Sequence, residues 1–193
     1  IIAEGGIGEL QRVTWIITDW FRTQQYYDSG SWRATWEGEG GGVLINQCPH
    51  NMDLWQWMFG MPETIHAFVD YGKYYNIEVE DDVTIYAEYP NGATGVFITT
   101  TGDCPGDNRL EITLDKARII CSASEIEVVE LTEKISEYTY AAEDGFKKLE
   151  SNKIEVETDG INEQHSGVTN AFAAHILHGT PLVAEGIEGI NGL

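Results

Sequence analysis

The sequence predicts an α+β domain, a mostly antiparallel open sheet with helices packed on one face. Three observations carry this reading. An apolar, helix-spaced segment lies between the glycine run Gly40-Gly41-Gly42 and Gly60, preceded by one strand-like run. From Thr64 to about Glu157, short runs rich in β-branched and aromatic residues alternate with turn signals, as in a meander. A last helical pattern, Glu163 to His178, is stopped by Gly179-Thr180-Pro181. At 193 residues the chain suits one domain, 1–193, with room for a real core.

In chain order, Gly5-Gly6-Ile7-Gly8 forms a turn-like start and Glu9 to Trp20 reads as a long strand. Tyr26 to Trp36 reads as an irregular aromatic loop of the kind that binds ligands. In the helix that follows the glycines, Cys48, Met52, Trp55 and Phe59 form an apolar stripe, and Asn46, His50 and Asp53 share another side. Asn46 as N-cap would place Pro49 early enough in the helix for its missing N–H to do little harm. Met61-Pro62 ends the pattern, and Thr64 to Tyr71 reads as a strand. Val83–Tyr89 and Ala93–Thr101 flank the hairpin signal Pro90-Asn91-Gly92. After a turn at Asp103–Asp107 come strands at Leu110–Leu114, Ala117–Cys121 and Glu125–Leu131, with Glu111 and Thr113 alternating against Ile112 and Leu114. Tyr138 to Asn152 reads as an exposed excursion. The last helix carries Val168, Phe172 and Ile176 at four-residue spacing as its apolar stripe.

Hydrophobic content of 42% marks a globular chain, and 11 basic against 32 acidic residues give a net charge of −21. That field repels phosphate backbones and anionic lipid, so nucleic-acid and membrane-surface partners are not expected. Cys48, Cys104 and Cys121 are odd in number, with no CxxC pair, which suits a reducing cytoplasm rather than a disulfide framework. No signal peptide or membrane span is legible, and the abrupt Ile1-Ile2-Ala3 start reads as a fragment of a longer chain.

The chemistry-bearing residues cluster on and before the first helix. Its glycines lack the GxGxxG spacing; they either cradle a phosphate at a helix start or let the backbone pass close to something bulky. His50 falls in the first helical turn, where the positive end of the dipole favours a neutral ring able to act as base or hydrogen-bond partner. A metal is not expected, because His50 and Asp53 offer at most two ligands and no HExxH is present. Asp53 either orients His50 or serves as a first-turn acid. Trp55 and Trp57 read as packing, with an aromatic platform for a sugar as the alternative. Arg33, between Trp32 and Trp36, either binds a polar ligand or stacks as a surface cation–π pair. His165, in the polar run Asn162–Ser166, is a second candidate beside simple capping.

The run Glu39 to Trp55 followed by Gly60-Met61-Pro62 resembles the signature of the Gfo/Idh/MocA oxidoreductases, the glucose–fructose oxidoreductase and inositol dehydrogenase family. Gly5–Glu9, Trp32-Arg33 and the closing run His178 to Gly189 fit the same family. The resemblance implies a substrate-binding and oligomerising domain that follows an N-terminal Rossmann domain absent from this chain. It implies NAD or NADP bound mainly by that domain, a sugar or polyol substrate, and a homo-dimer or tetramer formed through the open sheet face. Carried over, His50 is the catalytic acid/base, with Asn46, Asp53, Arg33 and His165 as substrate-binding residues. Asn46 stands where many members have an aspartate, so this chain departs from the family's His–Asp pair. The fragment alone is expected to be inactive. A non-catalytic oligomerisation or ligand-binding module and an NAD-dependent glycosidase are the alternative readings.

Overall fold

The computed structural model describes residues 6–122, 125–156, 165–182 and 184–192. It divides into two compact units, Ile1–Val156 and Glu157–Leu193. The first unit is built on an eight-stranded sheet with the spatial order β2-β3-β4-β1-β5-β6-β7-β8. The strands are β1 (Leu10–Ile17), β2 (Thr64–Tyr71), β3 (Glu80–Glu88), β4 (Thr94–Thr100), β5 (Asn108–Leu114), β6 (Ala117–Ser122), β7 (Glu125–Leu131) and β8 (Ser151–Ile154). All neighbours pair antiparallel except β1 and β4, which run parallel because β1 enters the middle of the meander. The α+β class and the open, mostly antiparallel sheet stand as expected from the sequence.

Register explains which face is buried. Trp15 lies beside Phe97 on one side and Leu110 on the other, and Phe97 lies beside Ile85. Residues two apart along each strand share that face, so Val13, Ile17, Val83, Ala87, Ile112 and Leu114 join them in one core. The hairpin at Pro90-Asn91-Gly92 fixes the β3–β4 register. Gly92 takes φ +83°, and the Asn91 side chain accepts the Ala93 N–H at 3.0 Å.

The helices of this unit are α1 (Gln24–Asp28), α2 (Val43–Asn46), α3 (Pro49–Phe59) and α4 (Ile135–Ala141). α3 docks on the buried face through the predicted apolar stripe. Trp55 stacks on Trp15 with centroids 6.4 Å apart and meets Phe97 edge-on at 5.6 Å, while Met52 and Phe59 pack around it. Gly95 makes this possible, because a Cβ there would lie 2.7 Å from Trp55 Cζ2. Cys48 is fully buried against Thr99, 2.9 Å from its hydroxyl, and burial pushes the thiol up to about 11.

Several local expectations are corrected. The glycine run does not feed one continuous helix: α2 ends at Asn46, and α3 starts afresh with Cys48 as N-cap and Pro49 at its first position. Pro49 is pre-set for that position and its missing N–H would have been an orphan anyway, so no N-cap at Asn46 is needed. Trp57 is not packing; it is 72% exposed. The aromatic loop begins inside the short helix α1, and the excursion, exposed as expected, holds most of α4 and the start of β8. In the second unit, α5 (His165–His178) is followed by Gly179 at φ +68° and a 3₁₀ turn, Gly186–Gly192. Glu163 and the run Asn162–Gln164 lie outside the described residues. Val168, Phe172 and Ile176 are exposed rather than buried.

Candidate active site around the first helix

Gly42 is spent on fold closure. A Cβ at this position would lie 1.9 Å from the Glu80 carbonyl oxygen, so only glycine lets this backbone cross β3. Buried Glu80 then turns its carboxylate onto the start of α2, accepting the N–H groups of Gly42 at 2.8 Å and Leu44 at 3.2 Å. Those are the donors a phosphate would need at a helix start. The glycine run is therefore a close-approach device whose donors are already taken, and it does not fit a dinucleotide phosphate.

Asn46 sits at the end of α2 inside a polar network. Its side-chain N–H donates to Glu39 Oε1, and its carbonyl oxygen accepts from Gln47 Nε2 at 2.7 Å and from the Tyr26 hydroxyl at 3.4 Å. Glu39 uses its other oxygen to accept the Ala34 N–H at 2.7 Å. Arg33 donates from Nη1 to the Tyr26 hydroxyl at 2.9 Å, and its guanidinium lies 4.5 Å from the centroids of both Tyr26 and Trp32. Arg33 and Asn46 are thus joined through Tyr26. The cation–π stacking read for Arg33 is present, and it leaves the remaining guanidinium N–H groups available.

His50 occupies the first turn of α3, exposed, and has no hydrogen-bond partner among the described residues. Asp53 does not orient it: the Asp53 carboxylate accepts from Gln56 Nε2 at 3.2 Å, the residue one turn further along α3. His165 is exposed at the first position of α5, in the other unit. The structure therefore brings Asn46 and Arg33 together, puts His50 one short break beyond Asn46, and does not join Asp53 to the histidine.

Three residues were not read as site residues in the sequence: Tyr26, Glu39 and Glu80. Their roles depend on partners 5 to 38 positions away, which no helix or strand spacing reveals. Glu39 alone had a signal, standing directly before the glycine run. Tyr27 is a framework group: it donates to Thr101 Oγ1 at 2.8 Å, and burial pushes its phenol up to about 12.

Residues 1–120 match the family description GFO/IDH/MocA C-terminal domain. Among solved structures, the chain is similar to the WlbA dehydrogenase of Chromobacterium violaceum, solved with NADH and UDP-GlcNAcA (25% identity, 99% of this chain, 51% of that one, TM-score 0.75). The WlbA dehydrogenase of Bordetella pertussis, with the same ligands, gives 22% identity over 99% and 52% of the two chains, TM-score 0.75. A levoglucosan dehydrogenase in complex with NADH and levoglucosan shares the fold at 18% identity, 100% and 56% coverage, TM-score 0.70. The chain spans about half the length of these structures. No curated protein matches it in sequence.

Proposed function

The chain belongs to the GFO/IDH/MocA oxidoreductase family, as a C-terminal domain, and from that premise we propose that it is the substrate-binding, catalytic-histidine domain of an NAD(P)-dependent sugar or polyol oxidoreductase. The observation that carries this reading is His50, exposed at the start of α3 with both ring nitrogens uncommitted among the described residues. In this reading His50 takes the proton from the reacting hydroxyl, or returns it to the carbonyl in the reverse direction. Asn46 presents its second side-chain N–H to a substrate oxygen, since its carbonyl oxygen is already occupied. Arg33 holds a further polar group of the substrate, and Asp53 and His165 are assigned outer substrate contacts.

NAD or NADP supplies the hydride chemistry. We assign it to a Rossmann domain outside residues 1–193, because the donors of the glycine run are bound to Glu80. The segment alone is then inactive. We also propose a cytoplasmic location for the parent protein, a reading supported by three free cysteines, of which Cys104 is exposed. No helix of the described residues is long and apolar enough to cross a membrane.

A homo-dimer or tetramer through the open sheet face is part of the same proposal. Phe68, Thr84, Ile98 and Ile16 form one cross-strand row on the face opposite the core, and Phe68 is 74% exposed. A second copy laid on that face would give these residues the cover they lack.

The test is NAD(P)H formation by the parent protein across a panel of sugars and polyols, beside the isolated 1–193 segment. The proposal expects turnover from the parent and none from the segment. Turnover by the segment, or none by the parent with any sugar, overturns it.

A further inference from the structure

We propose that Arg22 and Arg33, gathered on the ring of Tyr26, form a subsite for an anionic group of the ligand, a carboxylate or a phosphate. The proposal rests on the substrate-binding reading above and names the chemical class of the substrate.

The Arg33 guanidinium lies 4.5 Å from the Tyr26 centroid and that of Arg22 lies 5.2 Å from it, so two like charges share one aromatic ring. Trp32 covers Arg33 as well, at 4.5 Å. Each arginine spends one N–H on a neutral oxygen: Arg22 Nη1 on the Phe21 carbonyl at 2.9 Å, Arg33 Nη1 on the Tyr26 hydroxyl at 2.9 Å. Neither forms an ion pair among the described residues. Lys73, Arg109, Lys116, Arg118, Lys134 and Lys153 pair with carboxylates, whereas Arg12, Lys147 and Lys148 share the lack of an ion pair but stack on no aromatic ring among the described residues.

In a chain of net charge −21, carboxylates are abundant, and three of those around this loop are hydrogen-bonded to other groups. Asp28 accepts from Gln24, Glu78 accepts the Trp36 N–H at 2.7 Å, and Glu39 holds Ala34 and Asn46. These acids thus accept amide N–H groups, and the two guanidinium groups stay ordered on the Tyr26 ring with no ion pair among the described residues. Pre-ordering removes the rotamer entropy that an arginine otherwise loses on binding, and the planar fork matches carboxylate and phosphate oxygens. The protein's overall field opposes anions at a distance, so a local pair of this kind is what a charged substrate would need.

A place for the rest of the ligand adjoins it. Asp28, Ser31, Arg33, Thr35, Asn76 and Glu78 line a cleft of about 510 Å³, within the range of small-ligand sites. The Tyr26 hydroxyl that receives Arg33 also reaches Asn46, so the anionic end would lie beside the residue assigned to the reacting end.

The test is side-chain ¹⁵N NMR of arginine in the full-length protein, titrated separately with inorganic phosphate, acetate and chloride. The expected result is a saturating shift of the Arg22 and Arg33 signals, at least about tenfold tighter for phosphate or acetate than for chloride, and absent in Arg33→Gln. Whether phosphate or acetate wins tells a phosphorylated sugar from an acidic one. Arg22→Gln provides a second variant should Arg33→Gln fail to fold, and is expected to weaken the response at Arg33. Signals that move no more than those of exposed Arg12, or that follow chloride equally, overturn the subsite. A parent protein that turns over neutral sugars while failing this titration loses the subsite and keeps the oxidoreductase reading. One that saturates with anions but oxidises no sugar keeps the subsite as an anion site and loses that reading.

Discussion

Asn46 donates its side-chain N–H to the Glu39 carboxylate, so a negative charge sits one side chain behind the position where an aspartate is common in this family. The amide orientation follows, because Gln47 and Tyr26 both donate to the carbonyl oxygen on its other side. The site offers substrate a donor at Asn46, not a second base.

Asn46→Asp is therefore expected to be more than a return to the usual residue. It places two carboxylates in contact, with Arg33 reaching them through Tyr26 and the Glu80 carboxylate at the other end of α2. Like charges at that distance share a proton, and one of the pair titrates about one pH unit or more above the ordinary carboxylate range. Carboxyl ¹³C NMR of the full-length variant checks this, and the double variant Glu39→Gln/Asn46→Asp is expected to return the new aspartate to the ordinary range. A normal titration in the single variant would show that Glu39 does not touch this position in solution.

Trp55 and Gly95 are expected to be coupled. A methyl group at residue 95 meets Trp55 Cζ2 at 2.7 Å inside the core, so Gly95→Ala costs about 1–3 kcal/mol through overpacking. Phenylalanine at residue 55 removes the part of the ring that clashes. In the Trp55→Phe background the cost of Gly95→Ala is expected to fall, giving a coupling in the range of about 0.5–3 kcal/mol by denaturant unfolding. Additive costs would mean that the indole does not lie over Gly95.

Asp115 pins the start of α4. Its carboxylate accepts the Ser136 hydroxyl at 2.6 Å and the Ser136 N–H at 2.9 Å, which holds it below the usual carboxylate range. A depressed native value means stabilisation that is present above the unfolded value and is lost as pH falls through the native one. Ser136→Ala is expected to lower stability at neutral pH by about 1 kcal/mol, with the difference from wild type shrinking in acid. Thermal melts of both proteins between neutral and strongly acidic pH measure it. A difference that is constant or grows in acid contradicts the assignment.

The fold was largely legible because its signals are local. Alternation in Leu110–Leu114, the Pro90-Asn91-Gly92 turn and the Cys48–Trp55 stripe each depend on neighbours within one element. What escaped depends on distant partners. Pro49 announced a break, and it begins α3 rather than falling inside a helix, while the crossing of Gly42 over Glu80, 38 residues away, gave no local signal. Asn46 and Arg33 were legible as residue types; Tyr26 and Glu39, which tie them together, were not. Asp53 sat at the right spacing for His50, yet Gln56 on the same helix is its partner.

The central claim is that His50 carries the proton, and the direct measurement is kcat for His50→Ala and His50→Asn in the parent oxidoreductase, with sugar affinity and thermal stability measured alongside. Position 50 is exposed and outside the core, so stability and sugar affinity are expected to hold. The account predicts that kcat falls by about 10²–10⁴-fold in both variants. Turnover within a few-fold of wild type in either variant contradicts it.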